Sequence, residues 1–314
     1  MKYFGFRLFS FFKGGLYHLR YRINHDSRYY FYRIVYGIQF KPDKHILITG
    51  FPEARNFGDA LNVFLVEYLS GKKVMSSRYV KKKNAPIYAV IGSILHWADE
   101  GAIVWGAGLI SDQVKAPEDL HIKAVRGPLT RDLLKTQGLM NCPNIYGDPA
   151  LLMPLIYRPD RTSTYQYGIL PHYSDKKHPA LKDLKHLSST LLMDIQTGAN
   201  VLSLIDQILS CKVIVTSSLH GLILAHAYGI PCVWVSFLGN LIVGTFKFRD
   251  YLMSVGKDTL QPLEIKEKIY EDELLENLDD RPTAWDQFAL IESCPFIHEK
   301  VRIQLLSKAK HEST

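Results

Sequence analysis

Residues 213–235 read VIVTSSLHGLILAHAYGIPCVWV. His220 stands where a β-rich run breaks into a helix of small residues, although a turn there needs only Gly, Ser or Asn. Imidazole is the side chain whose ordinary pKa lies nearest neutrality, so it can give and take a proton. Ser217 or Ser218 can cap the helix and leave its other N–H groups for an anion. Gly221 would let a substrate approach the backbone. The plainer reading is a satisfied core histidine in a half-buried helix. Arg126, in AVRGPLTRDLL, is the best anion ligand: its planar fork sits at the mouth of a helix whose dipole already favours negative charge. A surface arginine or an ion pair to a neighbour is the alternative. Arg131 lies one turn further on. Asp59, in NFGDALN, is either an N-cap or a carboxylate turned to the ligand as general base or sugar contact, with Asn56 and Gly58 beside it. Asp148, His172 and Lys247 complete the set. His172 is either a substrate contact or a loop residue, and Lys247 and Arg249 are either phosphate contacts or a solvated helix start.

These residues fall where apolar runs end. HILITGF (45–51), APIYAVIGS (85–93), AIVWGAG (102–108) and the start of IKAVRGPLTRDLLKTQG (122–138) read as strands, and NIYGDPALLMP (144–154) as a further strand and loop. GDALNVFLVEYLSG (58–71) has helical spacing and stops at Gly71. Pro128 fits the first position of the next helix. A second series follows: a strand in TYQYGILPHYS (164–174), an amphipathic helix in 199–211, the strand–helix–strand around His220, helical segments at 244–256 and 264–278, and a final helix at roughly 284–309. The alternation predicts an α/β fold of two Rossmann-like domains with a crevice between them, where ligands bind beyond the carboxyl ends of strands. The expected boundaries are an N-terminal extension at 1–42, a first domain at 43–160 and a second at 161–314, whose last helix packs back across the first.

The chain of 314 residues is 47% apolar and 22% charged, enough for a large core. Its net charge of +7 belongs to residues 1–44, with nine bases and two acids; the remainder is neutral. The same segment holds 14 of the 37 aromatics. Charges interrupt it too often for a transmembrane helix, and no cleavage site makes it a signal peptide. It is a basic aromatic N-terminal extension, suited either to peripheral contact with an anionic membrane face or to packing on the body. No basic stripe continues into the body, so nucleic acid is not an expected partner. Cys142, Cys211, Cys232 and Cys294 show no metal spacing and read as reduced, partly buried thiols of a cytoplasmic protein. P-loop, GxGxxG, HExxH, GxSxG and DxD patterns are missing, so no metal and no resident cofactor are expected.

Taken in order, NFGDALN, VRGPLTRDLL, GDPALL and SSLHGLILAHAYGIP resemble the polysaccharide pyruvyltransferase family, over roughly residues 45–255. The resemblance implies a GT-B-like pair of domains. It also implies transfer of the enolpyruvyl group of phosphoenolpyruvate to two sugar hydroxyls, giving a pyruvate ketal and phosphate, as in succinoglycan-type exopolysaccharides. The family's motif aspartate falls on Asp59, its arginine on Arg126 and its histidine on His220. The implied partners are phosphoenolpyruvate as co-substrate and a sugar acceptor carried as a lipid-linked oligosaccharide at the inner membrane face. On this reading His220 is the proton donor, as imidazolium, and Asp59 the base, an assignment that can be exchanged. The competing readings are a sialyltransferase-like GT-B glycosyltransferase using a nucleotide sugar, and a non-catalytic glycan- or anion-binding protein.

Overall fold

A computed structural model describes residues 40–50, 56–80, 85–198, 200–237 and 245–312. Nearly all of the expected N-terminal extension lies outside the described residues. The first half builds a sheet from β1 (His45–Ile48), β2 (Lys73–Ser76), β3 (Ile87–Ala89), β4 (Ile103–Trp105) and β5 (His121–Ala124). The second builds one from β6 (Tyr165–Leu170), β7 (Thr190–Leu192), β8 (Cys211–Thr216), β9 (Cys232–Phe237) and β10 (Leu263–Ile265). All pairings are parallel. The orders are β2-β1-β3-β4-β5 and β10-β9-β8-β6-β7. Read from β7, the second order repeats the succession of the first. In each half the winding reverses once, between β1 and β3 and between β6 and β8. A doubly wound sheet opens a crevice at that reversal, outside the carboxyl ends of its strands.

The sequence explains the central elements. The central strands carry apolar runs because parallel strands are covered on both faces. Helix α1 (Phe57–Ser70) ends at Gly71, whose φ of 68° closes an N–H bond to Glu67 O. Helix α2 (Pro128–Thr136) starts with Pro128 at its first turn, as expected. Three short strands escaped the pattern: KVMS, TLL and LEI form β2, β7 and β10, each at a sheet edge where periodicity is weak. The strand expected within 144–154 is only a bridge between Val125 and Tyr146. Pro149 directs the chain into a 3-10 turn, Pro149–Leu152, and a short α3 (Met153–Ile156). Residues 157–164 have no regular structure.

The second half adds α4 (Val201–Leu209), α5 (Leu219–Ala227), α6 (Phe246–Ser254) and α7 (Glu271–Glu276). The segment at 264–278, expected to be helical, divides between β10 and α7. The expected last helix is two, α8 (Gln287–Glu292) and α9 (Glu299–Glu312), with Pro295 in the break. These helices return to the first half. Trp105 Nε1 donates to Leu290 O at 2.9 Å, and Phe296 packs edge-on to Tyr88 and Trp105. His298 N–H donates to Leu69 O, and Lys308 Nζ to Leu155 O. One hydrophobic cluster runs through both halves, from Ile46, Leu61 and Trp105 to Leu222, Trp234 and Tyr251. The halves therefore share a core instead of meeting only across a gap.

One polar lock joins them. Asp250 of α6 is fully buried, and its carboxylate covers the N-terminus of α2. Oδ1 accepts the Thr130 N–H at 2.7 Å, while Oδ2 accepts from Thr130 Oγ1 at 2.7 Å and Arg126 Nε at 2.9 Å. The close approach needs Gly127, where a Cβ would overlap the Asp250 backbone carbonyl. Removing Asp250 would strand a buried guanidinium, at a cost of about 3–5 kcal/mol. Asp250→Ala should lower the stability found by urea unfolding by that amount, and the apolar pair Arg126→Met/Asp250→Leu should recover much of it. An Asp250→Ala protein as stable as wild type would remove the lock.

Candidate active site

The N-termini of α1 and α5 meet at the seam. The N-caps of these helices, Asn56 and Ser218, make no side-chain capping bond, so neither helix start is closed by its own cap. Phe57 N–H crosses to Ile195 O at 2.9 Å. The His220 ring lies directly on Gly58, where any Cβ would overlap it, and edge-on to Phe57 with ring centroids 6.5 Å apart. A residue of one half thus gives up its side chain to seat the imidazole of the other. His220 as a residue keeps slight exposure, but its Nε2 is screened from solvent and has no hydrogen-bond partner among the described residues. A buried ring nitrogen without a partner is unusual enough to require a reason. Asp59 follows Gly58 in the first turn of α1, partly buried, where the helix dipole favours a carboxylate.

The other charged groups at this seam are Lys247 and Asp175, with His172 beside them. Lys247, on α6, is partly buried, and its ammonium lies 5.4 Å from the Phe248 ring centroid. Burial, then Arg126, pull its pKa down to about 8, against Asp175. His172 follows β6; its N–H donates to Ser217 Oγ at 2.9 Å, and Ser217 donates on to Asp175 at 2.5 Å. Those bonds bridge β6 and β8 at the reversal of the second sheet. Beside them is a cavity of about 50 Å³ lined by His172, Asp175, Ser217, Trp234, Phe237 and Phe248. Burial, then Lys247, lower His172 to about 4. Burial, then Lys247, Arg126 and His172, lower His220 to about 3. Arg126 therefore acts on His220 through space, and the two lie in one electrostatic neighbourhood.

Several sequence readings change. Arg126 is not an open anion ligand: it is fully buried and bonded to Asp250, to Ser93 Oγ at 2.6 Å and to Leu109 O at 2.7 Å. The chemistry expected of it, an anion held by guanidinium and helix start, is present, but the anion is the protein's own carboxylate. Arg131 leaves the seam; it donates to Cys142 O and pairs with Asp132. Asp148 is buried, with Oδ1 on Ala150 N–H and Oδ2 without a partner among the described residues. Burial pushes it up to about 6, against Arg126. Gly221 serves packing, because a Cβ there would overlap Thr216 Oγ1. Ser217 and Ser218 do not cap α5; Ser218 N–H instead donates to Thr216 Oγ1. Burial and the neighbouring cations disfavour the imidazolium that the sequence reading placed on His220 beside a bound anion. Asp250, Ser93 and Asp175 were missed. An acid on a helix otherwise buried through Phe248, Tyr251 and Leu252 was the available signal for Asp250.

One further group could suggest a metal: His226, Cys232 and Asp279, all buried with ligand atoms close together. Lys257 Nζ donates to Asp279 Oδ2 at 2.6 Å and Arg281 Nε to Oδ1 at 2.7 Å, so two cations already occupy both carboxylate oxygens. The four cysteines are free and buried. Among the described residues no helix is long and apolar enough to cross a membrane.

The sequence profile of the family described as "Polysaccharide pyruvyl transferase" matches residues 17–237, more than half of the chain, and the chain belongs to that family. It is a transferase on that ground. It is 37% identical over 219 residues to the Uncharacterized protein L143 of Acanthamoeba polyphaga mimivirus, covering 68% of this chain and 75% of that protein. It is 25% identical over 216 residues to the Succinoglycan biosynthesis protein ExoV of Rhizobium meliloti (strain 1021), covering 64% of this chain and 62% of that protein.

Unfolded imidazoles protonate near pH ~6.5. The folded rings resist to about 4 for His172 and about 3 for His220. Between those values the unfolded chain binds more protons, so these rings cause stability to fall as pH drops below neutrality. Histidine-selective NMR of the ligand-free protein should show both rings neutral and unchanging from pH 8 to pH 5. A His220 inflection near pH 6.5 would contradict the site's electrostatics.

Proposed function

We propose that this transferase builds a pyruvate ketal on a sugar of an exopolysaccharide or lipid-linked oligosaccharide, with phosphoenolpyruvate as donor. The repeated sheet topology supports a GT-B-like arrangement, with the donor at the seam. The observation that carries the reading is the His220 Nε2, shielded and without a partner, at the meeting of two helix N-termini whose caps leave them open and near a lysine. Such a place suits a small, highly charged anion. Lys247 and the helix N–H groups hold phosphate and carboxylate. Arg126 stays on Asp250 and contributes charge through space.

Protonation follows from the same electrostatics. Burial, then the neighbouring cations, disfavour the imidazolium of His220. The negative charge of a bound donor favours it, raises the ring's pKa and lets it carry a proton. His220 then protonates the methylene carbon, which becomes the methyl group. The adjacent carbon, oxocarbenium-like, bonds to the first sugar hydroxyl, whose proton passes to Asp59. The second hydroxyl displaces the phosphate, and its proton leaves with the base or the phosphate. One diol and one phosphoenolpyruvate thereby give one ketal and one phosphate. The succinoglycan context of the ExoV relative supports a polysaccharide acceptor.

His220→Gln should lower kcat for phosphate release by ~10²–10⁴-fold, the usual size of acid–base help. Lys247→Met should mainly raise KM for phosphoenolpyruvate. Full activity in His220→Gln would end its catalytic role. Adding phosphoenolpyruvate should also bring the His220 inflection above pH 5; a ring still neutral in that complex would make His220 the base instead.

A further inference from the structure

We propose that the reversal of the first sheet, between β1 and β3, holds the acceptor: it is a subsite for one neutral sugar ring. A second cavity, of about 330 Å³, lies there, lined by Thr49, Ser77, Arg78, Ile94, Trp97 and Asp99. These residues follow β1, β2 and β3 at their carboxyl ends, where a sheet of this order binds its ligand. The volume lies at the low end of small-molecule sites, which run from ~300 Å³ upward, so the site suits a single ring.

The chemistry selects a polyol over an anion. Trp97 is 57% exposed, unusual for so large an indole, and the neighbouring His96 ring tilts against it with centroids 4.2 Å apart. A flat apolar face beside polar groups matches a pyranose, which offers C–H groups on one face and hydroxyls at its edge. Asp99 accepts from Ser77 Oγ at 2.5 Å and Thr49 Oγ1 at 3.4 Å. A carboxylate and hydroxyls beside an indole are the partners a sugar ring uses, so the ring is assigned to Trp97 and the donor to the seam that carries Lys247 and His220.

The second cavity adjoins the lock. Ser93 accepts from Arg126 at the lock, and the next residue, Ile94, lines the second cavity. Leu95 N–H donates to Gly108 O, tying that segment to the loop after β4. The Arg126–Asp250 lock, whose α6 carries Lys247, thus also borders the segment that carries Trp97. This assignment rests on the transferase reading for its purpose, but its test does not.

Saturation-transfer NMR with methyl glycosides of glucose, galactose and mannose, without donor, measures sugar binding directly, and calorimetry measures phosphoenolpyruvate binding to the same proteins. Trp97→Ala should weaken glycoside binding by ~3–10-fold, the usual worth of an aromatic contact, with phosphoenolpyruvate binding unchanged. Trp97→Phe should retain most of the glycoside affinity. Unchanged glycoside binding in Trp97→Ala, no glycoside binding by wild type, or loss of phosphoenolpyruvate binding instead would each overturn the subsite. Glycoside binding that depends on Trp97 in a protein that ignores phosphoenolpyruvate would uphold the subsite and defeat the donor reading alone.

Discussion

A guanidinium with no exposure cannot be left alone, and the partner of Arg126 comes from the other half of the chain. Asp250 answers three needs at once: the charge of Arg126, the N–H of Thr130 at the start of α2, and the Thr130 hydroxyl. Breaking such a buried pair costs far more than its formation gains, so its value is geometric specificity. It fixes α6 against α2, and α6 carries Lys247. Lys247 inherits its position from that contact.

With Arg126 committed, the field at the seam still has its sign. Asp250 offsets the arginine, yet His220 and Lys247 both lose proton affinity, first to burial and then to neighbouring cations. The seam thus disfavours added positive charge, and one ring nitrogen there is screened from solvent.

The strand–helix–strand around His220 was legible because its apolar runs are long and its turn residues are polar. Pro128 marked the start of α2 for a reason of backbone geometry alone. The edge strands were not legible: three or four residues with mixed side chains carry no period. Arg126 shows a subtler limit. Sequence read Arg126 as the ligand of a bound anion, with an ion pair as the alternative; that its partner is Asp250, 124 residues away, needed the fold. Gly58 was named as a ligand contact, and its role as the floor for an imidazole from the second half needed the fold as well. Gly221, assigned a similar part, proved to be a packing glycine, since its missing side chain faces Thr216.

In the proposed function, Arg126 locks the halves while Lys247 and His220 receive the donor. A crystal structure with phosphoenolpyruvate bound tests this most directly. It should show ligand oxygens within hydrogen-bond reach of Lys247 Nζ and His220 Nε2, with Arg126 still on Asp250. An Arg126 side chain swung off Asp250 onto the ligand, or a ligand bound away from His220, would contradict it.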